Sequence, residues 1–533
     1  MTLSRLLLLL RTARYLKPGQ VVWRVRRKLV PAQFRPVDTP AMRSVPPEWR
    51  GAARFASMTG PVSFRFLNRE ETLSGPSSWN DPTLPKLWLY NLHYFDDLLA
   101  ESAGERTVWH RDLIPRWIRE NPAPHGNGWE PYPTSLRIIN WIRWAWSGHT
   151  LPDTAVENLA NQANCLSRNL EYHLLGNHLF ANAKALIFAG TFFEGPLADC
   201  WRMTGINILR KELPEQTLQN GGHFERSTIY HSLFVEDLLD LVQLARLTGA
   251  IPDHDIEHWK STAARALAWL DGLTHPDGGI AFFNDAAFGI APESKALQEY
   301  AARQGLAAAP SPAPDFDDYI RLESGPAVLL CDTAPIGPDY LPGHAHADSL
   351  SFEFSLAGHR MIANGGTSVY GGDPALRLVE RSTEAHNTVT VDGQSSSEVW
   401  AEFRVARRAH IKGRSINATN LPAEVAATHD GFRRFGGPSH KRRWELGDTH
   451  LTIEDELTGA WKRATARIRL VPPFSFAEGR IDGPTPVSVK VDGGTLRHEP
   501  GHWAREFGVR VPCDILCIDF TGPRLTTTLT WEA

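Results

Sequence analysis

At 533 residues the chain is too long for one ordinary core, so at least two packed domains are expected. Its composition, 42% hydrophobic and 22% charged, is that of a soluble globular protein. A net charge of −4 and a pI near 6.6 exclude a bulk basic field for nucleic acid, so anion binding must come from a local cluster of Arg and His. Eighteen Trp is a high count; their faces suit sugar rings or fill cores and interfaces. The five cysteines are scattered with no C-x-x-C, which argues against a disulfide framework and fits a reducing compartment.

The chain opens on MTLSRLLLLLRTARYLK, whose apolar run at 6–10 is short even for a signal sequence and is followed at once by Arg11, Arg14 and Lys17. No stretch approaches the roughly 18 apolar residues of a spanning helix, so no transmembrane span is expected. This basic amphipathic start either touches a membrane surface or packs on the body, and packing is the favoured reading. The cytoplasm is the expected location and the periplasm the alternative; the oligomeric state is left open.

Residues 1–85 read as an irregular, partly helical region, because Pro31, Pro36, Pro40, Pro46 and Pro47 break any long helix. From about Lys86 to 310 the period is helical. Ile138, Ile139, Ile142 and Trp146 share a helix face, and further helices are predicted at 154–174, 179–192, 199–213, 228–248 and 256–272. Asp153, Ser227 and Asp255 are the candidate N-caps. Antiparallel helical hairpins of this length suit an all-α barrel or toroid. The Ala- and Pro-rich stretch around 300–318 reads as a linker. After it the period becomes two. In SLSFEFSL, Leu350, Phe352, Phe354 and Leu356 alternate with polar residues, and the pairs Asp392-Gly393 and Asp492-Gly493 signal hairpin turns. Residues 319–533 are therefore expected to form an antiparallel β-sandwich.

Five constellations carry candidate chemistry. Asn177 and His178 sit at a break between helices, where they either hold a carboxylate or cap and pack. In GGHFERSTIYHSL, residues 221–233, Glu225, Arg226, Tyr230 and His231 crowd a loop that enters a helix. In GHAHADSLSFEF, His344, His346 and Asp348 share one face if the strand runs back to Gly343, and two imidazoles so placed offer a base and a metal ligand, or two ligands. The stretch 362–387 adds Asn364, Arg381, His386 and Asn387. GNGWEPYPTSLRIINWIRW supplies Trp129, Tyr132, Arg137, Asn140, Trp141 and Trp144 as a sugar-binding stripe or, for Trp141 and Trp144 above all, as core.

In this order the segments GNH, ERSTIYH, GHAHADSLSFEF and STEAHNTVTVDG, with WLYNLHYFD and WEPYPTSLRIINW before them, resemble the heparinase II/III-like polysaccharide lyases, including alginate lyases of that fold and members associated with exopolysaccharide or capsule loci. The resemblance covers roughly 85–415. It implies an α+β multidomain chain: an incomplete (α/α) toroid, then an antiparallel β-sandwich, with a cleft between them. It implies that an acidic, uronate-containing polysaccharide is cleaved by β-elimination. Asn177 and His178 would neutralise the uronate carboxylate, Tyr230 would transfer protons, and His344 would be a second base or an orienting group. Tyr230 acts twice on one face of the sugar, or His344 abstracts and Tyr230 donates from the other. Trp129, Tyr132, Arg137, Glu225, Arg226 and Arg381 are the expected substrate contacts. His346 and His386 match the family's metal-ligand histidines, but Asn364 stands where many members have Asp. No cofactor is required by the chemistry, and a structural zinc is left open. The alternatives are a glycoside hydrolase using Glu225, Asp285 or Glu236, and a non-catalytic glycan-binding protein of polymer assembly.

Overall fold

The computed structural model describes residues 3–30 and 34–532. Two short helices open it, α1 (Leu3–Ala13) and α2 (Pro18–Leu29). Pro31 lies outside the described residues. From residue 34 to the single turn Pro76–Asn80 there is no helix, and this is the stretch that holds Pro36, Pro40, Pro46 and Pro47.

The helical body follows as α3 (Lys86–Tyr94), α4 (Thr107–Glu120), α5 (Pro131–Trp146), α6 (Asp153–Ser167), α7 (Gly176–Phe192), α8 (Pro196–Gln216), α9 (Thr228–Thr248), α10 (Asp253–Gly272) and α11 (Ser294–Arg303). Successive helices pair as hairpins around a layer of large side chains. Trp117, Trp141, Trp144 and Trp201 are all buried there, so Trp141 and Trp144 are core rather than sugar platforms. The α7–α8 hairpin is the tightest. A Cβ on Gly190 would lie 2.4 Å from the Arg202 backbone nitrogen, and one on Gly205 would lie 2.5 Å from the Ala183 carbonyl. Glycine lets the two backbones touch.

Two predicted caps fall inside their helices. Pro152 and Pro252 are the N-caps of α6 and α10, and Asp153 and Asp255 lie in the first turns. There a carboxylate still suits the helix dipole, and Asp255 also accepts from Arg210. Ser227 does cap α9. The helix expected to run to 174 ends at Ser167; turns occupy 168–175, with Leu175 at φ 67°, before α7 begins at Gly176.

The β-module contains two large antiparallel sheets and a small ribbon of Val399–Trp400 with Arg404–Val405. One runs from Thr495–Glu506 through Val509–Phe520, Ala464–Leu470, His359–Ile362, Phe352–Leu356, Ala327–Asp332 and Tyr319–Ser324 to Asp315–Phe316, with Val389–Val391 added on Ala464–Leu470. The other runs Ile411–Asn417, Ala423–His429, Ser439–Leu446, His450–Thr458, Arg524–Trp531, Val487–Asp492, Arg480–Asp482, Ser475–Ala477. Their facing sides bury Leu329, Phe354, Val425, Trp444 and Leu529. Asp392-Gly393 makes a tight turn with both residues at positive φ. Asp492-Gly493 does not close a hairpin; it carries the chain from one sheet to the other.

Phe352–Leu356 is buried on both faces, not on one. Its polar face is sealed against the helical body, where His275 bonds Glu353 at 2.9 Å and Ser355 at 2.7 Å. Arg360 adds a fork onto Asp277 and donates to the Gly279 and Ile280 carbonyls. The two domains thus share a polar, hydrogen-bonded seam, and the candidate site lies on it.

Candidate active site

Three chain segments are folded toward one point. The first is the start of α7. Gly176 takes φ 55°, where a side chain is disfavoured, and a Cβ there would lie 2.3 Å from Leu341 and 2.5 Å from the Glu225 carboxylate. The Asn177 N–H, one of the donors that a helix start leaves without an intrahelical partner, donates to Glu225 Oε1 at 3.3 Å. His178 Nδ1 meets Glu171 Oε2 at 3.2 Å, and its ring lies 4.6 Å from that of Tyr132.

The second segment is the start of α9. Ser227 accepts from the Tyr230 N–H and thereby sets Tyr230 in the first turn. Tyr132, Asn177 and Tyr230 line one narrow pocket together with Gln216, His223 and Asp237.

The third is the 343–350 loop. No strand runs through it; the strand begins only at Phe352. His344 and His346 converge for a different reason, because the loop is laced to Asn284 and Asp285. The Asp285 N–H donates to the His344 carbonyl (3.0 Å), the His346 N–H to Asn284 Oδ1 (2.9 Å), and the Asn284 N–H to Asp348 Oδ2 (2.9 Å). Asp285 is the hub. It accepts from His344 Nδ1 at 2.9 Å, His346 Nε2 at 2.8 Å, Thr367 at 3.1 Å, and Arg377 at 2.5 and 2.7 Å. The His344 ring is stacked on Tyr230 with centroids 3.6 Å apart, and its Nε2 faces Glu225 Oε2 at 3.5 Å.

Charge follows this wiring. Burial would raise the Asp285 carboxyl, but Arg377 and the two histidines hold it well below the usual carboxylate range. Burial pushes His346 down to about 4 despite Asp285, so it is neutral near pH 7. With its Nε2–H given to Asp285, its Nδ1 accepts from His386 Nε2, 3.2 Å away. Burial lowers His178, yet the Glu171 carboxylate outweighs it and the net shift is upward. Burial raises Glu225 against the pull of His344. The Tyr230 phenol is driven well above its ordinary value, by burial first and then by Asp285.

Asn177, His178, Tyr230, His344 and Tyr132 are thus brought together, with Glu225 beneath them. Four expected contacts are not. Trp129 is buried with its indole N–H on the Asn121 carbonyl. Arg137 is fully enclosed, stacked on Trp117 at 3.8 Å and bonded to Gln162. Arg226 turns into the domain seam onto the Asp317 carbonyl and Asp318. Arg381 pins the Ala345 and Ala401 carbonyls. In each case the guanidinium or indole donors are used inside the protein, which leaves them no reach into the cleft.

The residues that sequence reasoning missed are Arg377, Glu171 and Tyr370, whose hydroxyl lies 3.4 Å from His344 Nδ1. Asp285 was weighed only as a hydrolase carboxylate. Its charge is held by Arg377, so it is not available as a general acid, and Glu236 is paired with Arg54 and Arg143.

The histidines implied as metal ligands do stand together, since His346 Nδ1 and His386 Nε2 are 3.2 Å apart. No group of three or more His, Cys, Asp or Glu suited to a metal occurs among the described residues. Asn364 is committed elsewhere, accepting from the Asn387 N–H and donating to Ser351. Asp348 is taken by Asn284. Two imidazoles without a carboxylate do not fit a tight zinc site.

Comparison with known proteins gives consistent matches. Residues 117–304 match the heparinase II/III N-terminus profile, and residues 309–532 match the profile heparinase II/III-like, C-terminal. A heparin-sulfate lyase of Pedobacter heparinus is 28% identical over 316 residues, covering 52% of this chain and 47% of the relative. Another, of Bacteroides stercoris, is 26% identical over 339 residues, covering 58% and 48%. The chain spans about half the length of the curated relatives it matches. Among solved structures, a heparinase III crystal structure aligns with a TM-score of 0.66 at 19% identity, covering 85% of this chain and 79% of that one. At that identity the likeness is one of fold.

Proposed function

The chain belongs to the heparinase II/III-like family, and from that premise we propose that it cleaves a uronate-containing polysaccharide, of exopolysaccharide or glycosaminoglycan type, by β-elimination. The observation that carries the proposal is the Tyr230–His344 stack, anchored by Asp285, with Asn177 and Tyr132 beside Tyr230 and His178 against Tyr132. β-Elimination must strip the C5 proton from a sugar whose C6 carboxylate already carries negative charge. His178, whose raised pKa favours the imidazolium, and the Asn177 amide neutralise that carboxylate as the enolate develops. The phenol of Tyr230 is held protonated, so it donates to the departing O4. His344 takes the C5 proton, and Asp285 fixes its tautomer and stabilises the imidazolium. No step requires a metal.

The stack also limits the stereochemistry. Two groups that sandwich a sugar ring stand roughly 7 Å apart, twice a van der Waals contact. Rings with centroids 3.6 Å apart act from one face. The favoured uronates are then those whose C5–H and C4–O lie on the same face: glucuronate and mannuronate rather than their C5 epimers, iduronate and guluronate.

The test is a panel of unsulfated glucuronate and mannuronate polymers, their C5-epimeric counterparts and heparin, read by the ultraviolet absorbance of the C4=C5 double bond. Ultraviolet-absorbing product from the first group is expected. New reducing ends without absorbance would mean a hydrolase, and binding without either product a glycan-binding protein. Equal rates on both epimers would refute the single-face geometry.

A further inference from the structure

Between Leu3 and Val30 the chain holds eight Lys or Arg and no Asp or Glu. Six of these charges lie on α1 and α2, which are fixed to the body by one face each. On α1, Thr12 bonds the Val405 carbonyl and accepts from the Trp400 indole. On α2, Trp23 stacks on Tyr172 at 4.9 Å, and Gln20 reaches the Leu174 and Tyr340 carbonyls. With those faces occupied, the opposite faces point outward, and they are apolar. Leu3, Leu6, Leu7 and Leu10 recur at helix spacing on α1, and Leu3 is 73% exposed. Val21, Val22, Val25 and Leu29 do the same on α2, where Leu29 is 75% exposed. At 100° per residue, Arg24 and Lys28 flank one edge of the α2 stripe and Arg26 the other, and all three are exposed.

We propose that α1 and α2 form a docking face for an anionic phospholipid surface. An outward apolar stripe edged by long cationic side chains is the arrangement that buries in the acyl–headgroup boundary while the charges meet lipid phosphates. A second copy of the chain is a poor occupant, because it would bring the exposed Arg24, Arg26 and Lys28 against their own counterparts. Neither helix spans a bilayer; no helix among the described residues is long and apolar enough. The chain would therefore lie on the membrane. Since α2 contacts Tyr172 and His173, just before Asn177 and His178, docking would hold the cleft about one helix diameter, ~10 Å, from the lipid.

The test is cosedimentation of the full chain with phosphatidylcholine vesicles, with and without phosphatidylglycerol, at low and high salt. Binding is expected only with phosphatidylglycerol and should weaken with salt. Val25→Asp should cost about tenfold or more in partitioning, and Arg24→Gln and Lys28→Gln roughly fivefold each. These exposed positions leave the fold and the turnover of soluble polymer unchanged, which circular dichroism and product absorbance check. Wild-type binding to both vesicle types alike, or to neither, overturns the proposal, as does undiminished binding by Val25→Asp. A dimer that Val25→Asp dissociates, without vesicle binding, overturns it in favour of self-association.

Discussion

Asp285→Asn is the sharpest test of the site's wiring. The substitution keeps the shape and removes the charge and one acceptor. Whichever oxygen becomes the amide NH2, a donor then faces a donor: His344 and one Arg377 nitrogen on the Oδ2 side, or His346, Thr367 and the other Arg377 nitrogen on the Oδ1 side. Arg377, fully buried, is left without its countercharge. Breaking a buried pair from one side costs about 3–5 kcal/mol, and that loss is expected in denaturant unfolding followed by circular dichroism. Adding Arg377→Met should return most of the stability, because both charges then leave together, but not the turnover, because His344 still lacks its anchor. Turnover should fall by roughly 100-fold or more in both variants. The Asp285 pKa is depressed in the fold, so its contribution is present above the ordinary carboxylate range and lost as pH falls through the folded value. The single variant should flatten that acid limb. A stability loss under about 1 kcal/mol with turnover within tenfold of wild type would refute the hub.

Three further outcomes are expected. Tyr230→Phe should lower turnover by about 100-fold or more while polymer binding, measured by calorimetry, survives; full activity in a folded variant would remove the phenol from the reaction. Glu171→Gln should move the alkaline limb of the pH–rate profile to lower pH, because the largest pull opposing burial at His178 is removed and the imidazolium is lost earlier; an unchanged limb would separate His178 from carboxylate neutralisation. Chelation should leave most activity intact, and elemental analysis should find less than one tightly held zinc per chain; activity lost on chelation and restored by zinc would contradict this.

The gross architecture was legible because it rests on periodicity. The change from period 3.6 to period 2 near residue 315 marks where helices give way to sheets, and the proline cluster marks where no helix forms. Single-strand patterning was less informative. Phe352–Leu356 alternates as if half-exposed, yet its polar face is buried because a second domain supplies partners for Glu353 and Ser355. A sequence pattern reports polarity. It does not distinguish water from a buried partner.

The same limit explains the arginines. Arg137, Arg226 and Arg381 were expected in the cleft because guanidinium groups suit carboxylates, and they are buried because they suit backbone carbonyls equally well. Arg377, the one that matters electrostatically, lies on the short helix Pro374–Glu380 with no distinguishing neighbour. Asp285 did carry a readable signal. It stands in IAFFNDAAF, an apolar run too hydrophobic for a surface loop, and a carboxylate buried there must be paired. The demand for partners, followed outward, leads to the nearest unexplained donors, His344 and His346. An ionisable residue embedded in an apolar run is thus a stronger pointer to this centre than the histidine spacing. That spacing was read as a strand and converges only because Asn284 and Asp285 fold the loop around themselves.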